Sequence, residues 1–271
     1  MERTRIWEGS MPLSRRSAVG LATLGVLAVA WLLLTSVTGL VSPGRFPTPA
    51  DTWTAAVQAM GRGYGDAPLA VHVLQSLKLV VLGFLASIAV GVPLGLLMGW
   101  NATAEAVLNP VFMLLRPIPP LAWIPLAILW LGLGDTAKIM VIFFAAFVPS
   151  VINTQAGVKT IERPVIEAAR MLGTPRWRFV REVLVPAASP MIFTGLRLSL
   201  QASWTTLVAA ELVGAVAGLG HMLNLAQQDL YPGMILVGMV CVAIFGALTT
   251  ALLGAVERRS LSWMRQRGGA A

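Results

Sequence analysis

Charged side chains are scarce in this sequence. Only 12% of the 271 residues are Asp, Glu, Lys or Arg, whereas 56% are hydrophobic. A soluble domain of this length usually has about twice that charged fraction. A soluble core cannot bury so much apolar surface, because polar groups must still cover its outside. The composition therefore excludes an ordinary soluble protein and predicts an integral membrane protein.

Lysine is also rare, and its neighbours exclude a nucleotide-binding loop. A P-loop requires Gly followed by Lys and a hydroxyl residue. The three lysines are preceded by Leu77, Ala137 and Val158, none of which is Gly. If ATP drives the function of this chain, another polypeptide must hydrolyse it. We therefore expect this chain to be no enzyme.

Residues that bind metals or perform nucleophilic catalysis are equally few. The two histidines, His72 and His221, have no metal-ligand spacing around them, and neither H-E-x-x-H nor G-x-S-x-G occurs. The single cysteine, Cys241, lies in an apolar run and cannot form an internal disulfide. Such a cysteine is usually a small packing residue. We expect no catalytic residue, no metal and no cofactor in this chain.

Six long apolar runs are present, and each is long enough to cross the hydrocarbon core, which takes about 20 residues. Four of them contain no charged residue. The third contains Arg116 and five prolines, and the fifth contains Arg197 and Glu211. The predicted fold is an all-α membrane protein forming a single domain over residues 1–271, with six transmembrane helices over residues 18–40, 79–100, 106–134, 139–158, 187–213 and 234–256.

The first run needs a comparison with a cleaved signal peptide. Its apolar stretch is longer than the 7–15 residues that such a signal usually has. The preceding Ser14-Arg15-Arg16-Ser17 suggests a twin-arginine signal as the alternative. The length of the run favours a membrane anchor that is retained.

Basic residues in short loops set the orientation, because cytosolic loops carry the excess of Lys and Arg. With a cytosolic N-terminus, 14 basic residues lie inside and 3 outside. The opposite orientation reverses this ratio, so both termini are predicted to be cytosolic. The inside set is Arg3, Arg5, Arg15, Arg16, Lys159, Arg163, Arg170, Arg176, Arg178, Arg181, Arg258, Arg259, Arg265 and Arg267, and the outside set is Arg45, Arg62 and Lys138.

The longest cytosolic loop, residues 159–186, contains signals for two short helices. Pro164 suits the first position of a helix, and Glu167 is predicted to lie in the first turn, where the helix dipole favours an acid. Gly173 is a natural left-handed cap for a helix over Pro164–Leu172.

The second short helix is predicted to start at once. Thr174 is a candidate N-cap, and Pro175 suits the first helical position. Pro186 is expected to end this helix before the next span.

The first loop helix is too short to be stable alone in water. Spacings of three and four residues predict that Val165, Ala168, Ala169 and Leu172 share one side. The small alanines would let another protein surface approach closely. A helix lying on the lipid headgroups, held by Trp177 and neighbouring arginines, is the alternative, and these features alone favour neither.

The spacing of the loop residues resembles a family signature. Glu167-Ala168-Ala169, three residues, Gly173, nine residues and Val183-Leu184-Val185-Pro186 are similar to the E-A-A-x3-G-x9-I-x-L-P motif of binding-protein-dependent ABC importer permeases. The resemblance implies a type I importer bundle of the MetI-like kind. It also implies that the loop helix couples a separate ATPase to the spans, through Glu167, Ala168, Ala169, Leu172, Gly173 and Pro186.

The same resemblance implies the partners of the chain. They are a second permease copy, two cytosolic ABC ATPase subunits that bind ATP and Mg, and an external solute-binding protein. The location implied is the bacterial cell (inner) membrane, with the lipid bilayer as surroundings and no nucleic acid.

Two further stretches resemble the taurine/sulfonate/nitrate group of these permeases. They are Arg116-Pro117-Ile118-Pro119-Pro120-Leu121-Ala122-Trp123-Ile124-Pro125-Leu126 and Trp204-Thr205-Thr206-Leu207-Val208-Ala209-Ala210-Glu211-Leu212. Both look closest to taurine permeases. The resemblance implies a small oxyanion as substrate, taurine or another sulfonate.

An ion- or proton-coupled secondary transporter is the alternative, although only Arg197 lies near the midplane as a possible relay. A membrane scaffold without transport is a third reading.

Polar residues of the fifth span are candidates for the translocation pathway. Hydroxyl and amide donors bind an oxyanion without trapping it, and threonines in spans otherwise return their hydroxyls to the preceding carbonyls. Arg197 and Lys78 could equally extend to the membrane interface, and Glu211 could be either a gate or helix-contact residue or a solvated helix end. The candidate pathway residues are Ser203, Trp204, Thr205, Thr206 and Glu211.

The prolines of the third span predict a broken helix. A proline has no backbone N–H, so it leaves carbonyls that neighbours or water must satisfy in a bilayer. We therefore expect this segment inside the bundle rather than against lipid. The prolines are Pro117, Pro119, Pro120 and Pro125.

Overall fold

A computed structural model describes residues 13–39, 41–42, 44–65 and 67–261. Arg3, Arg5, Arg265 and Arg267, which contribute to the predicted orientation, lie outside these residues. The described chain folds into helices joined by turns, and the all-α prediction is confirmed. The helices are α1 Leu13–Leu32, α2 Pro49–Gly61, α3 Leu69–Trp100, α4 Ala102–Leu115, α5 Ile124–Leu131, α6 Asp135–Lys159, α7 Arg163–Met171, α8 Arg176–Phe179, α9 Val185–Leu212, α10 Leu219–Gln228 and α11 Pro232–Ser260.

Helices α3, α6 and α9 form the centre of the fold, with α6 packed between the other two. Small residues recur every four positions along α3 and let α6 approach closely, as is common between membrane helices. A Cβ atom added at Gly95 would lie 2.7 Å from both the Val151 carbonyl oxygen and the Thr154 Cβ. The stripe consists of Gly83, Ser87, Gly91, Gly95 and Gly99.

In the described residues, five helical segments are long and apolar enough to cross a membrane. The pair α4 and α5 counts as a sixth when it is taken as one span bent by 85°. The break between them contains Pro117, Pro119 and Pro120, which deprive the chain of amide donors where a straight helix would need them. The third predicted span is thus two short helices joined by a turn of 3₁₀ helix over Pro120–Trp123.

The bent segment is only partly enclosed. α5 and the 3₁₀ turn pack against α6, and the turn also touches α9. On the other side, Leu114, Leu129 and Trp130 are exposed in the single chain. One side of the broken helix is therefore in the bundle, as predicted, whereas the other is free in this chain.

Helix α1 packs weakly on the remainder of the protein. Only 6% of its apolar stretch within Ala18–Val37 is buried, although the mean hydropathy of 2.2 is close to the 2.4 of α3 and α11. One specific contact is the Trp31 indole N–H, which donates to the Pro47 carbonyl over 2.9 Å. The helix continues into a π turn over Leu33–Val37. Its apolar side chains are therefore left largely uncovered by the rest of the described chain.

Two amphipathic helices cover the external end of the bundle, where the sequence indicated only connections. α2 begins with a capping box in which Thr48 and Asp51 bond to each other's backbone amides. α10 packs on α11, and α2 packs on α11 beside it. Ala55, Ala59, Met222, Ala226, Met234 and Val237 form their shared core.

The segment after the long cytosolic loop differs from the prediction. Pro186 does not end a helix, because the chain stays helical from Arg176 to Leu212. A π turn over Val180–Leu184 ends two residues before the proline. This wider turn accommodates a ring that would otherwise clash with the carbonyl four residues earlier. The predicted N-cap at Thr174 is also wrong, since Pro175 occupies the cap position.

Candidate functional site

The loop helix α7 is a nine-residue helix with a glycine-capped end. Glu162 is the N-cap residue, but its side chain makes no capping hydrogen bond. Glu167 lies beyond the first turn of the helix, contrary to the prediction. At its C-terminus the Gly173 amide donates to the Arg170 carbonyl over 3.0 Å. Gly173 has φ +64°, a conformation that favours glycine, and it turns the chain towards α8.

One side of α7 packs on the cytosolic end of the bundle. Ala169 is buried there in a cluster with Phe179, Leu184 and Ala188, and Ile166 packs against the same cluster. The predicted common side of Val165, Ala168, Ala169 and Leu172 is thus divided, because Ala169 faces its own bundle.

The outer side of α7 is unusually apolar for a cytosolic surface. Met171 and Leu172 are each 83% exposed, and Trp177 is 61% exposed. Glu167, Ala168 and Gly173 are exposed alongside them. A soluble face of this kind has a strong tendency to be covered by a partner. We call this surface, Val165, Glu167, Ala168, Met171, Leu172 and Gly173, the α7 knob.

Aromatic contacts join the α7 knob to the spans. The Trp100 and Phe179 rings lie 4.1 Å apart and connect the end of α3 to α8. A cavity of about 430 Å³ beside them is bounded by Asn101, Arg170 and Arg176, among others. The α7 segment therefore packs beside the cytosolic ends of α3 and α9.

An ionic contact holds the neighbouring helix ends together at the same side. Glu105 at the start of α4 accepts hydrogen bonds from Gln155 over 3.0 Å and from Lys159, both on α6. Asn101 caps α4 by accepting from the Thr103 amide over 2.9 Å. The cytosolic ends of α3, α4 and α6 are thereby fixed relative to one another.

The candidate pathway residues of α9 occupy different surroundings. Ser203 is fully buried and donates to the Ser199 carbonyl over 2.8 Å. The Trp204 indole N–H donates to the Thr249 hydroxyl on α11 over 3.0 Å. Thr206 is 7% exposed, whereas Thr205 is exposed and returns its hydroxyl to its own helix.

A polar stripe runs along the exposed side of α9. Arg197, Gln201 and Thr205 recur at the spacing of one helix face and line a groove of about 250 Å³ with Trp204. Arg197 forms an ion pair with Glu257 near the cytosolic end of α11. The guanidinium therefore has a protein partner. A polar stripe in a span is unfavourable against lipid, which indicates that this face is wet or covered.

Glu211 lies in a buried polar cluster and not at a solvated helix end. Its carboxylate accepts from the Gly220 amide over 2.7 Å and from the Ser76 hydroxyl over 2.8 Å. The Ser76 oxygen in turn accepts from the Leu219 amide over 2.8 Å. A Cβ added at Gly218 would lie 2.3 Å from the Glu211 Oε1. Glu211 thus fastens the start of α10 to α3 and α9.

His72 belongs to the same external cluster. Its Nδ1 accepts from the Gly218 amide over 3.1 Å, and its Nε2 donates to the Tyr64 carbonyl over 2.8 Å. His221 stacks on it with ring centroids 6.4 Å apart. Nothing in the sequence around these histidines indicated these contacts, because the partners of His72 are backbone groups and one of them, Gly218, is 146 residues away.

Lys78, considered for anion attraction or for extension to the interface, is paired. Its ammonium donates to Asp135 over 2.9 Å, and Gln75 donates to the same carboxylate over 2.7 Å. Within the described ranges, no group of three or more His, Cys, Asp or Glu side chains could hold a metal ion.

Residues 91–262 match a family described as the binding-protein-dependent transport system inner membrane component. The chain belongs to this family. Its members are membrane permeases of ABC importers rather than ATPases, so this permease is a multi-pass transport subunit that works with separate ATPase and solute-binding partners. The matched residues include α7 and its glycine cap, in agreement with the motif found in the sequence.

Several relatives resemble the permease over most of its length. The taurine transport system permease protein TauC of Escherichia coli (strain K12) is 38% identical over 93% of this chain and 92% of its own. The putative aliphatic sulfonates transport permease protein SsuC of Bacillus subtilis (strain 168) is 32% identical over 96% and 98%. The nitrate import permease protein NrtB of a Synechocystis strain is 33% identical over 89% and 87%.

A solved structure shares the fold. A chain from the inward-facing MetNI methionine ABC transporter superposes with a TM-score of 0.62 and 23% identity, over 71% of the permease and 95% of that chain. The predicted type I importer architecture is thereby confirmed.

Proposed function

We propose that the permease forms the membrane pathway for a small oxyanion, taurine or another sulfonate. The relatives with named substrates support this class, since they are permeases for taurine, aliphatic sulfonates and nitrate. The polar stripe of Arg197, Gln201 and Thr205 supports it as well, because guanidinium, amide and hydroxyl donors suit sulfonate oxygens. Along α9, Trp204 and Thr205 are the proposed pathway residues that reach this groove.

The remaining candidate residues have a different part in the proposal. Ser203 and Thr206 are buried, and Glu211 binds the start of α10. We assign them to the support behind the pathway surface of α9, where Glu211 holds this helix to α3 and α10. Thr205 has the exposed hydroxyl on this face, and it would rotate away from the carbonyls of its own helix to bind a solute.

The assembly that we propose contains two permease copies, two cytosolic ABC ATPases and one external solute-binding protein in a bacterial inner membrane. ATP and Mg would bind only to the ATPases. The exposed apolar α7 knob is the observation that carries this proposal. The inner side of its helix packs on Phe179 and Ala188 through Ala169, and Phe179 contacts Trp100 at the end of α3. We assign Glu167, Ala168, Leu172 and Gly173 to the contact, Ala169 to its inner support, and Pro186 to the entry of α9.

The test is co-purification and binding-protein-stimulated ATP hydrolysis of the reconstituted assembly. Burial of a leucine is worth about 1.5–3 kcal/mol. Leu172→Asp is therefore expected to weaken ATPase association by about tenfold or more. Glu167→Ala is expected to reduce stimulated hydrolysis with smaller loss of association.

Two control variants accompany this test. Leu24→Ala changes an exposed leucine on α1, and Glu182→Ala changes an exposed acid in the π turn after α8. Both should behave like the original protein. Unaltered association and coupling in Leu172→Asp would refute the site. Taurine uptake into liposomes by the permease alone, without nucleotide, would instead favour a secondary transporter.

A further inference from the structure

The break between α4 and α5 places a charged side chain inside the membrane. Arg116 is the C-cap of α4, directly before the proline-rich turn. Its side chain lines a cavity of about 210 Å³ together with Ile118, Trp123 and Phe144. That volume is several times the roughly 30 Å³ that one water occupies in the liquid. The cavity therefore has room for a small solute.

The cavity lies at mid-depth in the bundle. Its wall on α6 runs from Phe144 to Pro149, and α6 extends from Asp135 to Lys159. A 25-residue helix is about 37 Å long, so this wall occupies its central turns. An arginine at such a depth is costly unless water, an anion or a carboxylate compensates its charge.

No protein group in the described ranges compensates the Arg116 charge. Two other basic residues within spans differ, because Arg197 pairs with Glu257 and Lys78 pairs with Asp135. Arg116 has neither an ion pair nor a side-chain hydrogen bond among the described residues, and it is exposed to the cavity and its mouth. Its five N–H donors are available to a ligand.

The remaining wall suits the organic part of a small sulfonate. Trp123 stacks on Phe144 with ring centroids 4.2 Å apart and an interplanar angle of 11°. Phe147 and Pro149 continue this apolar surface. A guanidinium binds two oxygens of an oxyanion through its planar fork, while the rings contact a short carbon chain. A single ligand of this kind also permits release, as a transport site requires.

We infer that the cavity at the break between α4 and α5 is an oxyanion-binding site of the transport pathway, with the Arg116 guanidinium as its ligand. The inference deepens the proposed function and rests on it for the direction of transport. It also explains the proline-rich turn, which interrupts the helix directly after Arg116 and leaves a cavity beside that side chain. Because the turn also touches α9, the site adjoins the helix whose polar stripe we assign to the pathway.

Ligand protection tests the site without relying on transport. Ile118→Cys, which lines the cavity, would be made in a Cys241→Ala background and assembled with the ATPase and binding protein. We expect taurine to slow alkylation of this cysteine by N-ethylmaleimide at least about threefold. The added Arg116→Gln change should abolish the protection, and Arg116→Lys should retain part of it.

A control position and a set of anions complete this experiment. Val57→Cys on the external α2 is exposed and distant in the fold, and its alkylation should not respond to taurine. Ethanesulfonate and nitrate are tested beside taurine, in vesicles with and without anionic lipid. Protection by none of the three anions, or protection by anionic lipid alone, would overturn the site.

Uptake measurements separate this inference from the proposed function. With assembly verified by co-purification, Arg116→Gln should lower ATP-dependent taurine uptake about tenfold or more. The matched control Arg62→Gln, an exposed arginine at the external side, should leave it unchanged. Equal uptake by Arg116→Gln and the original protein would refute the Arg116 site alone. Absence of uptake by the original protein would refute taurine as substrate, while the protection experiment still decides the site.

Discussion

At the residue scale, Glu211 determines how the external end of the bundle closes. Glu211→Ala would leave the Ser76 hydroxyl and the Gly220 amide buried without their acceptor. An unsatisfied buried group costs about 1–3 kcal/mol, so we expect a loss of about 2 kcal/mol or more in unfolding free energy. Thermal unfolding of the purified permease should show a clearly lower Tm.

Two further variants make this prediction specific. Glu211→Gln keeps an acceptor and should lose less stability than Glu211→Ala. Ser87→Ala removes a buried hydroxyl that bonds only within its own helix, to the Phe84 carbonyl, and should have a small effect. Equal Tm values for Glu211→Ala and Ser87→Ala would contradict the role of Glu211.

His221 gives the external cluster a dependence on pH. Burial lowers the pKa of His221, and the nearby His72 and Lys138 lower it further. An unfolded histidine has a pKa of about 6.5, so the unfolded chain binds more protons than the folded chain below that pH. The stability from neutral His221 is therefore present above about pH 6.5 and decreases as the pH falls.

The measurement is the Tm at several pH values between 8 and 5 in detergent, values chosen to bracket about pH 6.5. His221→Gln should reduce the fall in Tm below about pH 6.5. The same substitution should change the Tm at pH 8 much less. A decline of the same steepness in both proteins would show that other groups cause it.

At the element scale, the contact between α3 and α6 depends on the absence of side chains. Gly95→Ala would place a Cβ 2.7 Å from the Val151 carbonyl oxygen, which cannot move without its helix. Overpacking of this kind costs about 1–3 kcal/mol. We expect a lower Tm and a reduced yield of folded protein.

Gly25 in α1 provides the matched control. A Cβ at this position meets nothing within 4 Å, so Gly25→Ala should leave the Tm unchanged or slightly raise it. If both alanine variants unfold at the same temperature, close approach along the α3 stripe does not limit stability.

The elements differ in how far the sequence predicts them. Hydropathy finds the long spans because about 20 apolar residues leave a clear signal. α2 is missed in the Pro/Gly-rich stretch, although its Thr48 and Asp51 capping box is a readable signal. α10 is missed because its N-cap residue is Gly218, which has no side chain to form a recognisable cap. The helix across Pro186 is not predictable from local rules, since the π turn before it arises in the folded chain.

The candidate site is predictable in its chemistry and less so in its geometry. Residue spacing identifies the α7 segment to within one residue of its ends. It does not reveal that Ala169 faces the bundle while Leu172 faces away. The contacts of Glu211 and His72 with backbone amides near Gly218 depend on tertiary structure, which leaves no pattern along the chain.

At the scale of the whole molecule, the proposed orientation separates α7 and α2 by the membrane. Leu172→Cys and Val57→Cys, each in a Cys241→Ala background, place a thiol on an exposed position at either end. An impermeant maleimide should label Val57→Cys in right-side-out vesicles and Leu172→Cys in inside-out vesicles. The reverse pattern would contradict both the orientation and the coupling role of α7.

Helix α1 makes few contacts with the rest of the described chain, apart from ones such as that between Trp31 and Pro47, so we expect lipid to cover most of it. The lipid or detergent around α1 therefore has more influence on its position than the rest of the protein has. Extraction into a micelle changes that solvent, and α1 is the part of the fold that would register the change first. The choice of detergent should consequently alter protease cleavage near residues 44–48 while the packing of α3, α6 and α9 stays the same.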